Sequence, residues 1–202
     1  MHLERRHHLI LISVATFAVA AIAVASPLRA QSLPHVVFRT ERGEIELEVD
    51  TIRAPITGKN FLRYVDGGFF TNGSFYRVVR QDNQPNDSIR IDVIQAGASR
   101  EKRGQGFPPI ELERTSVTGI KHLDGTISMA RASVNTATSS FFICLGPQPA
   151  LDFGGMRNPD GQGFAAFGRV VRGLDVARRI QGEAANGQTL IAPVSIHDAT
   201  RK

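Results

Sequence analysis

From His35 onward the chain is cut into short runs, each of strand length and each bounded by glycine, proline, asparagine or aspartate. HVVFRT (35–40) and EIELEV (44–49) alternate apolar and polar residues around a Gly-containing turn, which predicts a β-hairpin. GSFYRVVR (73–80) and RIDVIQAG (90–97) predict a second pair, joined by the polar QDNQPNDS. IELERT (110–115), GTISMARA (125–132), SSFFICLG (139–146), GFAAFGRVV (163–171) and APVSIHDA (192–199) read as further strands. Only two segments have helical spacing. In RAPITGKNFLRYVDGG, Pro55 suits a first turn, Phe61, Leu62 and Val65 share a side, and Gly67-Gly68 end the run. In GLDVARRIQG, Val176, Ala177 and Ile180 share one. About eight short strands with one early and one late helix predict a mainly β fold, a closed antiparallel barrel capped by two helices. Closure is favoured over a two-sheet sandwich because several runs are apolar on both faces and would otherwise leave reactive edges.

Residues 1–30 stand apart. MHLERRHH followed by LILISVATFAVAAIAVA is a basic stretch leading into an apolar one, the pattern of an export signal. Small residues allow cleavage after Ala30 or after Ala25, and a retained membrane anchor is the alternative. Residues 31–202 then form one domain with room for a core. The single cysteine, Cys144, lies within the apolar SSFFICLG, so no internal disulfide forms and the folded state rests on packing.

The formal charge is +5, of which +2 sits in residues 1–30, where Arg5, Arg6 and Arg29 outweigh Glu4, leaving +3 for the rest. Those charges are interspersed with acids, as in EIELEVD, and no basic stripe interleaved with aromatics points to nucleic acid. No metal site is expected, since His35, His122 and His197 are far apart and lack cysteine partners. No serine occupies a GxSxG elbow, and Ser139 and Ser140 read as ordinary strand-start residues. Gly161, Gly163 and Ala166 match a GxGxxA spacing, but a loop precedes them and a strand follows, the wrong context for a dinucleotide.

What remains is a charge in an apolar strand. If side chains alternate through FYRVV, Arg77 shares a face with Phe75 and Val79, where a guanidinium is costly to place. Either a carboxylate such as Asp92 or Asp152 pairs with it, or it faces an open groove.

Taken in order, FYRVV, VIQAG, TISMARASVNTATSSFFICLG and ALDFGG followed by QGFAAFGRVV resemble the cyclophilin family of peptidyl-prolyl isomerases, and the resemblance runs from about residue 36 to 198. It implies an eight-stranded barrel with a helix at each end, isomerisation of the bond before proline in polypeptide substrates, no cofactor, and a monomer that meets no membrane unless the signal segment stays attached. It makes Arg77 the catalytic group and Gln95 its polar companion. It places Phe142 and Leu151 in a pocket for the proline ring, and Ala130 and Arg131 along the substrate backbone. Phe75 would add to the apolar surroundings of the arginine. The sequence departs from the family pattern at Val93, at Ser140 in place of a glutamine, at Ala150 in place of a tryptophan, and at Phe164 in place of a histidine, inside a longer GGMRNPDGQG loop. The resemblance thus implies a folding helper for exported proteins, or, with catalysis reduced by Ser140, Val93 and Ala150, a proline-segment-binding chaperone or assembly module.

Overall fold

The structure, a computed structural model, describes residues 32–85, 87–102 and 104–202. The expected signal segment lies outside the described residues. Among those described, no helix is long and apolar enough to cross a membrane.

The leading hairpin forms as the alternation predicts: β1 (His35–Thr40) pairs with β2 (Gly43–Val49), burying Val36, Phe38, Ile45 and Leu47. Helix α1 (Pro55–Asp66) follows, with proline in its first turn and Gly67 at its end. Then come β3 (Gly73–Val79), β4 (Val93–Gly97), a four-residue helix α2 (Thr115–Thr118), β5 (Thr126–Met129), β6 (Phe141–Cys144) and β7 (Ala165–Arg172). Helix α3 (Leu174–Gln181), the two-residue β8 (Ala185–Asn186) and β9 (Thr189–Arg201) complete the chain. The strand order β1-β2-β7-β5-β6-β4-β3-β9 returns to β1, every pairing being antiparallel, so eight strands close a barrel and leave no edge among themselves. The long β9 makes closure possible by pairing with β3 near its start and with β1 near its end.

The interior is filled by aromatic rings. Phe61, from α1, lies 4.9 to 6.1 Å from the ring centres of Phe38, Phe70, Phe141 and Phe167, so the helix seals the barrel with its apolar side. Helix α3 buries Val176, Ala177 and Ile180 and packs against β2, β3 and β4.

One expected strand is absent. IELERT contributes a single bridge, Ile110 to Ala137, before turning into α2. Pro108 and Pro109 deprive its start of ladder donors. Its side chains have other work: the Glu113 carboxylate accepts from the free N–H groups of Ile56 and Thr57 at the start of α1, at 3.0 and 2.7 Å. The late strand is longer than APVSIHDA, because β9 begins at Thr189.

Candidate active site

The site is built from one row of residues across the outside of the barrel wall. Arg77 on β3 stands opposite Gln95 on β4, and Gln95 stands opposite Phe142 on β6. Alternation on β6 sends Phe141 into the core and leaves Phe142 outside. The next row, Val79, Val93 and Cys144, lies beside it on the same face. With Ile91 and Leu151 these residues form a small apolar cluster separate from the main core, flanked by the partly buried Ala130 and Phe164. Phe164 meets Phe142 edge-on at 5.6 Å. It is held there because its N–H donates to the Leu151 carbonyl at 2.9 Å and because Gly163 passes tightly over Asp152 at φ +66°.

Simple alternation does not survive in β3. A bulge at Tyr76 shifts the register, so Phe75 pairs with Ala96 and Arg77 with Gln95. The same irregularity interrupts pairing with β9, where Pro193 has no N–H to offer. Phe75 therefore points into the barrel, 1% exposed and against Phe141, while Arg77 and Val79 face outward. This corrects the expectation that Phe75 lines the arginine's surroundings.

Arg77 is paired with neither expected carboxylate. Asp92 accepts from Gln81 and Gln181, while Asp152 is taken by His122 and Lys121. Instead, Arg77 Nη1 donates to Gln95 Oε1 at 2.8 Å, and Nε donates to Gln188 Oε1 at 3.0 Å, with Nη2 directed at the same oxygen. Among the described residues no carboxylate lies within ion-pair distance. Burial, and after it the Arg157 guanidinium, lower its pKa from the ordinary arginine value. The group nevertheless stays charged.

Gln95 continues the network by donating to Tyr76 Oη at 2.7 Å, and that hydroxyl donates to Ser140 Oγ at 3.4 Å. Tyr76 and Ser140 border a neighbouring cavity of about 590 Å³, which also reaches Gly97, Phe69 and Phe107. That cavity lies beside the apolar patch rather than over it, and Ser140 belongs to that side.

The Arg131 side chain is held within the protein. It is 1% exposed and forks onto the Asp160 carboxylate at 2.7 and 2.8 Å, with Nε donating to the Gly163 carbonyl and the guanidinium above the Phe164 ring. That pair pins the long loop at one end. At the other, Arg157 donates to the Ile89 carbonyl at 2.7 Å and lies 2.9 Å from Asp87. The loop and the β3–β4 connection are thereby tied together beside the patch.

Behind Phe142 the chain brings together His122, Asp152 and Ser128. His122 Nδ1 lies 2.8 Å from Asp152 Oδ1 and Nε2 lies 2.9 Å from Ser128 Oγ, the order of a hydrolase triad. Ser128 is 0% exposed, so its oxygen meets no substrate. The imidazole instead stacks on the Phe142 ring at 6.1 Å and 16° and backs the patch. Burial raises the pKa of Asp152, but hydrogen bonds from His122 outweigh this and hold the carboxyl below its usual range. Burial likewise pushes the Cys144 thiol up.

Sequence reasoning missed Gln188, Tyr76, Asp160, Arg157 and the His122 group. For two of them a signal existed: Asn186-Gly187 is a hairpin dipeptide just ahead of Gln188, and Asp160-Gly161 marks the turn that carries Asp160. Neither says what the side chain will touch.

Fold and site define a class, an eight-stranded antiparallel barrel plugged by helices, with a candidate ligand patch on its outer wall. Residues 35–201 match the model of the family described as cyclophilin type peptidyl-prolyl cis-trans isomerase/CLD. The chain is 36% identical over 171 residues to peptidyl-prolyl cis-trans isomerase A of Dickeya dadantii, covering 84% of this chain and 83% of that protein. To peptidyl-prolyl cis-trans isomerase B of Escherichia coli it is 33% identical over 150 residues, 74% of this chain and 85% of the other. A cyclophilin-type isomerase of Cryptosporidium parvum superposes with a TM-score of 0.67 at 20% identity, over 84% of this chain and 98% of that one; that isomerase has also been solved in the presence of the dipeptide Ala-Pro. The chain belongs to the cyclophilin-type family and is a peptidyl-prolyl cis-trans isomerase.

Proposed function

We propose that the protein is exported and accelerates cis–trans exchange before proline in other exported polypeptides, with Arg77 as the catalytic group. The observation that carries the site assignment is the company of Arg77: two neutral amide oxygens, no carboxylate, and a place in one row with Phe142. The signal-like residues 1–30 support export.

The reaction makes and breaks no bond. Amide resonance raises a rotation barrier of about 18–20 kcal/mol, and uncatalysed exchange takes tens of seconds or more. A catalyst need only bind the twisted amide better than either planar form. In the twisted amide the prolyl nitrogen turns pyramidal and regains a lone pair, an acceptor that neither ground state offers. Of the five N–H groups of Arg77, three are engaged by Gln95 and Gln188, which leaves two for that nitrogen and the neighbouring backbone. A carboxylate partner would spread and offset the positive charge; the two amides orient it and leave it whole. Phe142, Leu151 and Val93 hold the pyrrolidine ring by apolar contact, with Phe164 and Ala130 at the margin. A thousandfold gain needs about 4 kcal/mol, within reach of one charge-assisted hydrogen bond at a partly dried site plus ring capture.

Exchange spectroscopy on a short X-Pro peptide tests this reading. Wild-type protein at micromolar concentration should bring the two isomers into fast exchange, and Arg77→Ala should remove most of that effect. Full activity in Arg77→Ala would overturn the assignment, and binding without acceleration by the wild type would favour the chaperone reading. Fractionation of cells producing the full chain checks export.

A further inference from the structure

The assignment of Arg77 leaves open what fixes its guanidinium. A four-carbon side chain leaving a bulge has several rotamers, and a donor that must meet a short-lived lone pair gains nothing from mobility. Gln95 holds only one corner, through Nη1. The opposite edge, Nε with Nη2, is gripped by Gln188, 111 positions away in sequence.

Gln188 is itself held. It follows Gly187 in the two-residue turn between β8 and β9, and Gly187 sits at φ +57°, a backbone that favours glycine although no atom crowds its α-carbon. The Gln188 carbonyl accepts from Val78 N–H at 2.9 Å, which fastens the turn to β3 one residue beyond Arg77. Asn83 ties the same turn from outside, its Nδ2 donating to the Gly187 carbonyl at 3.0 Å and to the Val78 carbonyl at 3.1 Å. The carboxamide has one sensible orientation: Nε2 faces the Asn83 carbonyl at 3.5 Å, so Oε1 faces Arg77.

We propose that Gln188 is a positioning residue of the isomerase: its amide oxygen clamps the Nε–Nη2 edge of Arg77 without neutralising it, and so aims the remaining N–H groups at the apolar patch. The proposal rests on the reading of Arg77 as the catalytic group. It makes neutrality as important as reach, since a glutamate in this place would hold the same edge while adding a counter-charge.

Two substitutions separate these properties. Gln188→Met keeps the length and removes the acceptor; Gln188→Glu keeps the acceptor and adds charge. Each should lower kcat/KM for X-Pro exchange about tenfold, the scale of one hydrogen bond to a charged group, with the loss in kcat and the KM for peptide changed less than about twofold. The same pair is then measured in an Arg77→Ala background. With nothing to aim, both substitutions should leave the residual rate unchanged, whereas a merely structural role would add its loss in both backgrounds. Wild-type kcat in Gln188→Met overturns the proposal, as do additive losses; wild-type kcat in Gln188→Glu overturns its claim about neutrality. If Arg77→Ala alone retains full activity, the underlying reading of Arg77 fails instead, and the two failures are distinguished. Should Gln188→Met fold poorly, the Arg77 Nε–H signal in a 15N spectrum of Gln188→Glu and wild type decides: solvent exchange equally slow in both, with kcat reduced only in the glutamate variant, supports the clamp, and rapid exchange in the wild type overturns it.

Discussion

Phe141 and Phe142 are adjacent residues of one strand, and they live in different worlds. Phe141 is enclosed by Phe38, Phe61, Phe70 and Phe75, each ring centre between 5.2 and 6.3 Å away. Phe142, 5% exposed, lies on the outer face of the wall: His122 is stacked behind it, Phe164 at its edge, and the apolar row of Val79, Val93 and Leu151 around it. Interior and patch are made of the same material, yet the first lies inside the barrel and the second forms a separate, smaller cluster on the outer face of its wall. The barrel wall has this double use because its strands are apolar on both faces, the property that forces it to close.

The sharpest break of that comparison is in stability. Phe141→Ala removes a ring whose every neighbour is fixed, and should cost about 3–5 kcal/mol, a large part of the stability of a domain this size. Phe142→Ala, in the smaller outer cluster, should cost less while depressing X-Pro exchange far more than the folded fraction explains. Urea denaturation beside exchange spectroscopy checks both, and equal stability losses would erase the distinction between core and patch.

Arg77 offers the next test. Because no carboxylate within ion-pair distance offsets its partial burial, and Asp87 acts only from farther off, Arg77→Met should leave stability unchanged or raise it by up to about 1 kcal/mol, against the usual trend of substitutions. Catalysis should still fall about a hundredfold, the scale for removing one donor aimed at transition-state charge. A Tm lowered by many degrees would mean that the residue is part of the framework instead. A smaller effect is expected behind the patch, where Ser128→Ala removes the hydrogen bond to His122. It should cost about 1 kcal/mol and leave exchange within about twofold of wild type, since the buried oxygen takes no part in the chemistry.

Much of this was legible in the sequence, and the limits follow the reach of each signal. Alternation and turn residues act between neighbours, so the hairpin at 35–49 and the helix from Pro55 to its glycine stop could be read directly, whereas Phe142 and Gln95 come forward only through the family resemblance. The bulge at Tyr76 could not, because an extra residue leaves FYRVV with the same composition while it reverses the side on which Phe75 lies. Only Pro193, a residue that cannot donate to a ladder, hinted at broken pairing there. IELERT alternates as a strand should, but its glutamate serves the start of α1. Arg131 and Asp160 are 29 positions apart, and Arg77 and Gln188 are 111 apart; pairing across such distances is decided by the closed barrel and carries no local pattern.

The Arg131–Asp160 fork yields the smallest and most specific expectation. Hydrogen bonding by Arg131, aided by the Gln162 backbone N–H, lowers the Asp160 pKa to about 2. An unfolded aspartate titrates near 3.9, so the folded state favours the carboxylate. The stabilisation is therefore present above about pH 4 and lost as pH falls through 2. Asp160→Asn removes the charge at every pH. Its Tm should lie a little below that of wild type by a constant amount from pH 5 to 8, and the two should converge between pH 4 and 2. The pair also holds Phe164 against Phe142, so the variant should raise the KM for X-Pro peptide by a few fold with kcat nearly unchanged. An unaltered KM would show that the patch keeps its aromatic wall without the loop's help, and that the long segment from Gly154 to Gly163 is tied down for reasons unconnected with proline.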